Sequence, residues 1–190
     1  MKKEILRETK ETKIKMELNL RGQGNYEIET PFKFFNHMLE QLAYHAKFDL
    51  KINATSLDGD SHHLIEDCAI TLGGLIKESL GDKKGIKRYS SVILPMDEAL
   101  VLVALDISNR PYCKVDVDLK DEMTGDFETV LLAHFFNSLS QNAGFTLHIK
   151  MLDGYDTHHI IEAAFKGVGR AIKDAIQVID DEIPSTKGIL

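Results

Sequence analysis

Cysteines and long apolar runs are scarce in this chain of 190 residues, and each scarcity excludes a class of protein. The two cysteines, Cys68 and Cys113, lack CxxC spacing, so we expect two reduced thiols rather than a disulfide framework. No stretch approaches the ~18 apolar residues of a membrane span, and residues 1–9 lack the apolar segment of a signal peptide. We therefore expect a cytoplasmic protein that does not bind membranes.

Basic residues are also in the minority. The chain has 23 Lys and Arg against 30 Asp and Glu, a formal net charge of -7, which argues against nonspecific binding to nucleic acid. A local basic pocket for a small anion is still compatible with this balance. Hydrophobic residues make up 43% of the chain, enough for a real core, and only 13 Gly and 4 Pro are present, which argues against general disorder.

The chain repeats itself. The segment HHLIEDCAITLGGLIKESL matches HHIIEAAFKGVGRAIKDAI at seven of nineteen positions, and two upstream segments match in the same order. The matched pairs are 11–20 with 98–107, 37–52 with 134–149, and 62–80 with 158–176. We therefore predict two homologous halves, residues 1–86 and 87–190, that form one compact duplicated domain.

Hydrophobic periodicity predicts the same order of elements, β-β-α-β-α, in each half. Apolar residues alternate from Ile14 to Leu20 and again from Phe48 to Ile52, as in half-buried strands, and Tyr26–Ile28 suggests a short partner strand. Residues 34–45 and 65–80 have helical spacing, with Ser61 and Thr157 expected as N-caps. The predicted fold class is α+β, an internal duplication with the helices packed between two sheets.

Histidine carries the chemical signal. Eight are present, and four form two adjacent pairs that begin the motif His-His-x-x-Glu. On a helix, His62 and Glu66 lie on one face, as do His158 and Glu162. Adjacent histidines point roughly 100° apart, so each pair is better suited to two ions than to one.

The repeat adds His37 and His134, which match each other. If the two pseudo-symmetric halves divide these residues equally between two ions, each ion receives three His and one Glu. Its remaining coordination positions stay open for a substrate. The predicted ligands are His37, His62, His63, Glu66, His134, His158, His159 and Glu162. The N/O donor set suits Mn, Fe, Co or Zn, and the lack of a Cys ligand argues against a closed structural zinc site. His45 and His148 have no histidine counterpart and are expected to be structural.

Several further motifs make the chain resemble the imidazoleglycerol-phosphate dehydratase family nearly from end to end. They are Arg7-x-Thr9-x-Glu11-Thr12, Phe35–Leu39, His62-His63 with Glu66-Asp67, Lys87–Tyr89, Pro95–Ala99, Asp106–Pro111, Gly125–Phe127, His134–Phe136, His158–Ala164 and Pro184–Gly188. The chain departs from the family pattern at Asn36, Ser61 and Asn109. None of these departures removes a predicted ligand.

The resemblance implies a metal-dependent dehydratase of histidine biosynthesis, a carbon–oxygen hydro-lyase. Its substrate would be a small phosphorylated imidazole, imidazoleglycerol phosphate, and its product imidazoleacetol phosphate. It implies two Mn(II) per active site, although other divalent transition metals also suit the ligands. It further implies 24 subunits built from trimers, with each site formed between subunits.

Roles for further residues follow from the same resemblance. Glu11 is the first candidate for the general acid that helps hydroxide to leave, with its repeat partner Glu98 second. Asp106 is expected to orient substrate or water, and Gln41 to contact the ring or hydroxyl. The expected phosphate ligands are Arg88, Arg110, Ser185 and Lys187.

Two other hypotheses use the same histidines. A dinuclear metallohydrolase would use the ions to activate water, but such sites favour more carboxylates than this chain offers. A metal-assembled cage or storage protein would use the histidine pairs as interface ligands, and would leave the basic residues without a role. Release of phosphate, or assembly without turnover, would identify these alternatives.

Overall fold

Both halves of the chain follow the order of three strands, a helix, a strand and a second helix, with a short hairpin added before the first helix of the second half. The computed structural model describes residues 2–190. The first half has strands β1 (Lys2–Glu8), β2 (Thr12–Asn19) and β3 (Tyr26–Glu29), helix α1 (Lys33–Ala46), strand β4 (Asp49–Ser56) and helix α2 (Ser61–Leu80). The second has strands β5 (Tyr89–Met96), β6 (Ala99–Asp106) and β7 (Tyr112–Asp116), a hairpin of β8 (Met123–Thr124) and β9 (Phe127–Glu128), helix α3 (Leu131–Ala143), strand β10 (Thr146–Asp153) and helix α4 (Thr157–Ala175).

The two main sheets have the same topology, which confirms the predicted α+β duplication. Their strand orders are β1-β2-β4-β3 and β5-β6-β10-β7, and the repeat-matched strands β3 and β7 are the ones paired in parallel. Each main sheet has one strand more than the pattern predicted, because β1 and β5 precede the expected order, and the second half adds the β8-β9 hairpin. Strand β1 escapes periodicity because both of its faces are largely exposed and five of its seven residues are charged.

The helices pack between the sheets and pair across the halves, α1 with α4 and α2 with α3. Both pairs depend on repeat-matched glycines. A Cβ at Gly73 would lie 2.7 Å from the Leu139 carbonyl oxygen, and one at Gly169 would lie 2.7 Å from the Leu42 carbonyl oxygen. The absence of side chains there lets the backbones approach closely. Apolar residues from both halves form one buried cluster.

Aspartates cap the two long helices, contrary to the expectation for Ser61 and Thr157. The Asp60 carboxylate accepts from the His62 N–H, and the Asp156 carboxylate from the His159 N–H. Asp is as good a cap as Ser and binds the helix N-terminus more strongly through its charge. Ser61 and Thr157 are instead the first helical residues.

The predicted boundary between the two halves, at residues 86 and 87, lies in the connection between α2 and β5. This boundary remains a prediction.

None of the helices formed by residues 2–190 combines the length and the apolar character needed to span a bilayer.

Candidate functional site

The pairing of α1 with α4 brings together one group of ligand-type side chains, which we call the Glu162 half-site: His37, His158 and Glu162. Their donor atoms all lie within 4.8 Å of one another. Glu162 Oε2 is 3.1 Å from His158 Nε2 and 3.4 Å from His37 Nε2. This carboxylate is buried, with its side chain only 7% exposed, whereas both imidazoles remain accessible.

The pairing of α2 with α3 forms the repeat-related group, the Glu66 half-site: His62, His134 and Glu66. The rings of His62 and His134 are 4.7 Å apart, and His62 Nε2 lies 3.9 Å from Glu66 Oε2. This group is more open, because the Glu66 side chain is 41% exposed. Each half-site therefore takes residues from both halves of the chain.

The second histidine of each pair points elsewhere, as the spacing argument predicted. The Asp58 carboxylate accepts from His63 Nδ1 at 2.7 Å, and Glu11 joins these two in a cluster. The hydrogen bond to Asp58 raises the pKa of His63. Within one chain, two imidazoles and one carboxylate therefore converge at each half-site, and His63 and His159 are the imidazoles left over.

His159 is held by Glu98, the repeat partner of Glu11. Its Nδ1 lies 2.8 Å from Glu98 Oε2, and this hydrogen bond raises the pKa of His159. The same bond, with help from the N–H of Asp156, lowers the pKa of Glu98 to about 2. Because these hydrogen bonds hold Glu98 in its charged form, the carboxylate is suited to orienting the imidazole rather than to donating a proton.

Glu11 lies in the turn between β1 and β2. Its N–H donates to Thr9 Oγ1 at 3.1 Å, and its carbonyl accepts from the Leu57 N–H at 2.7 Å. The backbone is thus fixed while the carboxylate stays exposed beside His63. Gln41 lies at the Glu162 half-site, with its Nε2 3.5 Å from His37 Nδ1.

Two residues that sequence reasoning missed also touch the carboxylates of the half-sites. Lys166 Nζ lies 2.7 Å from Glu162 Oε1, and Ser138 Oγ donates to Glu66 Oε1 at 3.3 Å. Lys166 follows Glu162 by four residues on α4, a spacing that brings a lysine onto the face of the carboxylate. This spacing in the sequence was sufficient to predict that Lys166 contacts Glu162. Burial would by itself raise the pKa of Glu162, but Lys166, His37 and His158 together lower it.

The predicted phosphate ligands gather at the C-terminal segment. Arg88, Arg110, Ser185 and Lys187 line a cavity of about 490 Å³ together with Tyr89, Pro184 and Thr186. The Arg110 side chain is 70% exposed, and its Nη2 lies 3.7 Å from Asp106 Oδ2, so the guanidinium is accessible to a ligand in the cavity. Ser185 Oγ accepts from the Lys187 N–H at 3.2 Å.

Arg88 has a different character. Its buried guanidinium donates to both oxygens of Asp106, at 2.7 and 3.2 Å, and to the Pro184 carbonyl at 2.7 Å. It therefore holds the C-terminal segment against the sheet and contributes charge at the edge of the cavity. Asp106 is the partner of this arginine, and its carboxylate lies on neither half-site.

The cavity and the Glu162 half-site are far apart within one chain. The Arg88 N–H donates to the Ala175 carbonyl at the last residue of α4, whereas His158 lies in the first turn of that helix. Because a helix rises 1.5 Å per residue, these two points are separated by about 26 Å.

The donor sets fit a divalent transition metal. At the Glu162 half-site the donor atoms already lie within 4.8 Å of one another. At the Glu66 half-site the His62 and His134 rings are 4.7 Å apart, with Glu66 Oε2 3.9 Å from His62 Nε2. The accessible imidazole edges leave room for further ligands. The two thiols are not part of either set, because Cys68 is buried in the core and Cys113 lies on β7. His45 and His148 also lie outside both half-sites.

Comparisons with known sequences agree on one family. A family profile described as imidazoleglycerol-phosphate dehydratase matches residues 30–172. The imidazoleglycerol-phosphate dehydratase of Metallosphaera sedula is 53% identical over 188 residues, covering 98% of this chain and 97% of that protein. The one from Caldicellulosiruptor saccharolyticus is 48% identical over 188 residues, with the same coverage of 98% and 97%.

Solved structures give the same result. The imidazoleglycerol-phosphate dehydratase of Staphylococcus aureus superposes with a TM-score of 0.85 at 36% identity, covering 94% of this chain and 99% of that one. The Pyrococcus furiosus structure, described as IGPD in complex with (S)-C348, has a TM-score of 0.87 at 42% identity, covering 98% and 100%.

The duplicated fold and these matches define a dehydratase, a lyase that removes water from its substrate. The chain belongs to the imidazoleglycerol-phosphate dehydratase family. The resemblance, the fold class and the enzyme class predicted from the sequence are therefore confirmed.

Proposed function

We propose that this protein converts imidazoleglycerol phosphate to imidazoleacetol phosphate with a pair of Mn(II) ions in each active site. One observation carries the proposal: two repeat-related half-sites, each with two imidazoles and one carboxylate, occur in a chain that also builds a cationic cavity. A substrate with a heteroaromatic ring at one end and a phosphate at the other needs both kinds of site.

The two half-sites would hold the ions, and the leftover imidazoles His63 and His159 would complete the ligand sets. Divalent ions bound to both nitrogens of the substrate ring would act as Lewis acids and lower the pKa of the ring. Asp58 and Glu98 accept from the Nδ1 atoms of the leftover imidazoles, which leaves Nε2 as the nitrogen that would bind an ion. This arrangement prepares both histidines for binding a cation.

Proton transfer falls to the exposed carboxylate of Glu11. Loss of hydroxide from the substrate side chain needs a general acid, and a carboxyl group that is fixed at its backbone but free at its tip can supply one. Glu98 is less suited to this role because its carboxylate accepts a hydrogen bond from His159. Gln41 can donate to the substrate ring or hydroxyl from beside His37.

Arg110, Ser185 and Lys187 would bind the phosphate. The guanidinium of Arg110 can offer two parallel N–H donors to phosphate oxygens. Arg88 supports them, since its bonds to Asp106 and to the Pro184 carbonyl hold the C-terminal segment in place. We assign Asp106 to this support rather than to contact with the reacting atoms.

The separation of about 26 Å along α4 supports assembly. A three-carbon phosphate ester on an imidazole ring is far too short to reach from the Glu162 half-site to the cavity of its own chain. We therefore propose that neighbouring subunits complete each site, as in the 24-subunit assembly of trimers that the resemblance implies. The cytoplasmic location stays a prediction.

The decisive measurement combines metal content with turnover. The purified assembly should contain two manganese ions per chain and form the ketone from the phosphorylated imidazole diol. Thorough chelation should abolish the reaction, and Mn(II) should restore it. Full activity after chelation, or release of inorganic phosphate in place of the ketone, would contradict the proposal.

A further inference from the structure

The duplication provides an internal control for the two half-sites. His62 corresponds to His158, Glu66 to Glu162 and His134 to His37, so the donor types are identical. In both half-sites Oε2 of the glutamate faces the imidazoles and Oε1 is bound by a neighbouring side chain. A difference in charge between the sites must therefore arise from the groups around these ligands.

The group that binds Oε1 differs in charge. At the Glu162 half-site it is the ammonium of Lys166 at 2.7 Å, on a side chain only 21% exposed. At the Glu66 half-site it is the neutral hydroxyl of Ser138 at 3.3 Å. The repeat counterpart of Lys166 is Ile70, which carries no charge.

We propose that the two half-sites are unequal in metal affinity, with Lys166 weakening the binding of a divalent ion at the Glu162 half-site. This inference rests on the proposed function, because it assumes that both half-sites hold ions. The ammonium neutralises the only carboxylate of its half-site, and it repels a cation bound to Oε2. Because Glu162 and Lys166 are largely buried, solvent screens this repulsion weakly.

A nearby acid offsets only part of the effect. Glu40 Oε2 lies 3.8 Å from His37 Nδ1, on the side of the ring away from Glu162. With metal–ligand bonds of about 2.1 Å, the ammonium of Lys166 would lie about 5 Å from the ion and Glu40 about 8 Å from it. Glu40 is also more exposed than Lys166. Its attraction for the ion therefore acts over a longer distance and is screened more strongly by solvent.

The imidazoles of His63 and His159 would not make the two metal affinities equal. His63 and His159 each have a carboxylate within hydrogen-bonding distance, at 2.7 and 2.8 Å. They would bring similar charge to either ion. The fixed position of Glu162 favours its half-site through lower ordering entropy, but freezing one side chain is a smaller effect than a unit charge about 5 Å away.

The test measures bound manganese rather than activity. The loaded assembly is equilibrated with increasing concentrations of a chelator of known affinity, and manganese per chain is determined at each step. We expect bound manganese to fall from two to one and then to zero, with the steps separated by roughly tenfold or more in free Mn(II). Glu162→Gln should remove the weaker step, and Glu66→Gln the tighter one.

Reciprocal variants make the test specific. Lys166→Ile copies the other half-site and should merge the two steps at the tighter affinity, whereas Ile70→Lys should merge them at the weaker one. Lys173→Ile changes an exposed lysine of the same helix and should leave both steps in place. Sizing of each variant checks that the assembly is intact.

Two results would overturn the inference: a single step with two ions in the unmodified protein, or two steps that neither reciprocal variant shifts. The proposed function fails separately, since it predicts two ions per chain and ketone formation whatever their relative affinity. An assembly with two equally held ions and full turnover would reject only the inequality.

Discussion

The two ends of the sheets differ in symmetry. At the histidine end each residue of one half-site has a repeat partner of the same type in the other, and Glu11 corresponds to Glu98. At the other end the repeat partner of Asp106 is Asn19, which donates to Asp49 at 3.1 Å where Asp106 binds Arg88. Under the proposed function, the duplicated residues surround the two cations and the unduplicated residues bind the single phosphate.

This comparison predicts different consequences for mutations at the two ends, and the largest belong to the histidine end. His158→Ala removes one imidazole from the Glu162 half-site and should lower bound manganese from two to one per chain. Because the proposed chemistry needs both ring nitrogens polarised, turnover should fall by about 1000-fold or more. Metal analysis and a ketone assay measure the two effects.

His62→Ala should have the same effect through the Glu66 half-site, and His45→Ala serves as the control because His45 lies in neither. Retention of two ions by both half-site variants would show that these histidines are not ligands.

The repeat-matched glutamates should differ in their effects. Glu11→Gln removes the proposed general acid and should reduce kcat about 100-fold or more with manganese content unchanged. Glu98→Gln weakens the support of His159 and should cost about tenfold, mainly through loss of bound metal. If Glu98→Gln lowered kcat more than Glu11→Gln, Glu98 would be the general acid instead. Measuring kcat and manganese content on the same samples separates a loss of proton transfer from a loss of metal.

Mutations at the phosphate end should affect binding alone. Lys187→Ala and Arg110→Ala each remove a charged donor from the cavity, and each should raise KM by about 10- to 100-fold. Manganese content and kcat at saturation should stay near those of the unmodified protein. Lys51→Ala, which removes an exposed lysine paired with Glu27, is the control. A large loss of kcat in the cavity variants would place them at the reacting atoms instead.

The sequence predicted the duplicated end better than the single one. Helical spacing was sufficient to group His62 with Glu66 and His158 with Glu162, because both members of each pair lie on one helix. The participation of His37 and His134 needed the repeat, since they come from other helices. That His63 and His159 point away from these groups followed from the angle between neighbours on a helix.

What the sequence could not supply were the contacts between distant elements. Nothing in the sequence around Arg88 shows that its guanidinium is committed to Asp106 and Pro184, since the three lie on separate segments brought together by folding. Strand β1 was missed because it is an exposed edge strand without alternation. The contact of Lys166 with Glu162 is different, because a lysine four residues after a glutamate on one helix is visible in the sequence.

The smallest effect on activity, and a direct test of the duplication, concerns the glycines between the paired helices. Gly73→Ala and Gly169→Ala each force a Cβ to within 2.7 Å of a backbone carbonyl oxygen, so each should lower the free energy of unfolding by about 1–3 kcal/mol. Gly74→Ala is the matched control, because nothing lies within 4 Å of its Cβ, and replacing a helical glycine there should stabilise by up to about 1 kcal/mol.

Urea unfolding of the three variants measures these changes. Similar destabilisation at both crossings is expected if the halves pack equivalently, with the intact fraction retaining two manganese ions and normal kcat. Destabilisation at one crossing only would mean that the helix pairs have diverged in packing although their half-sites match. The duplicated end would then be symmetric in its donor groups alone, because the backbone beneath one half-site could shift to accept a methyl group.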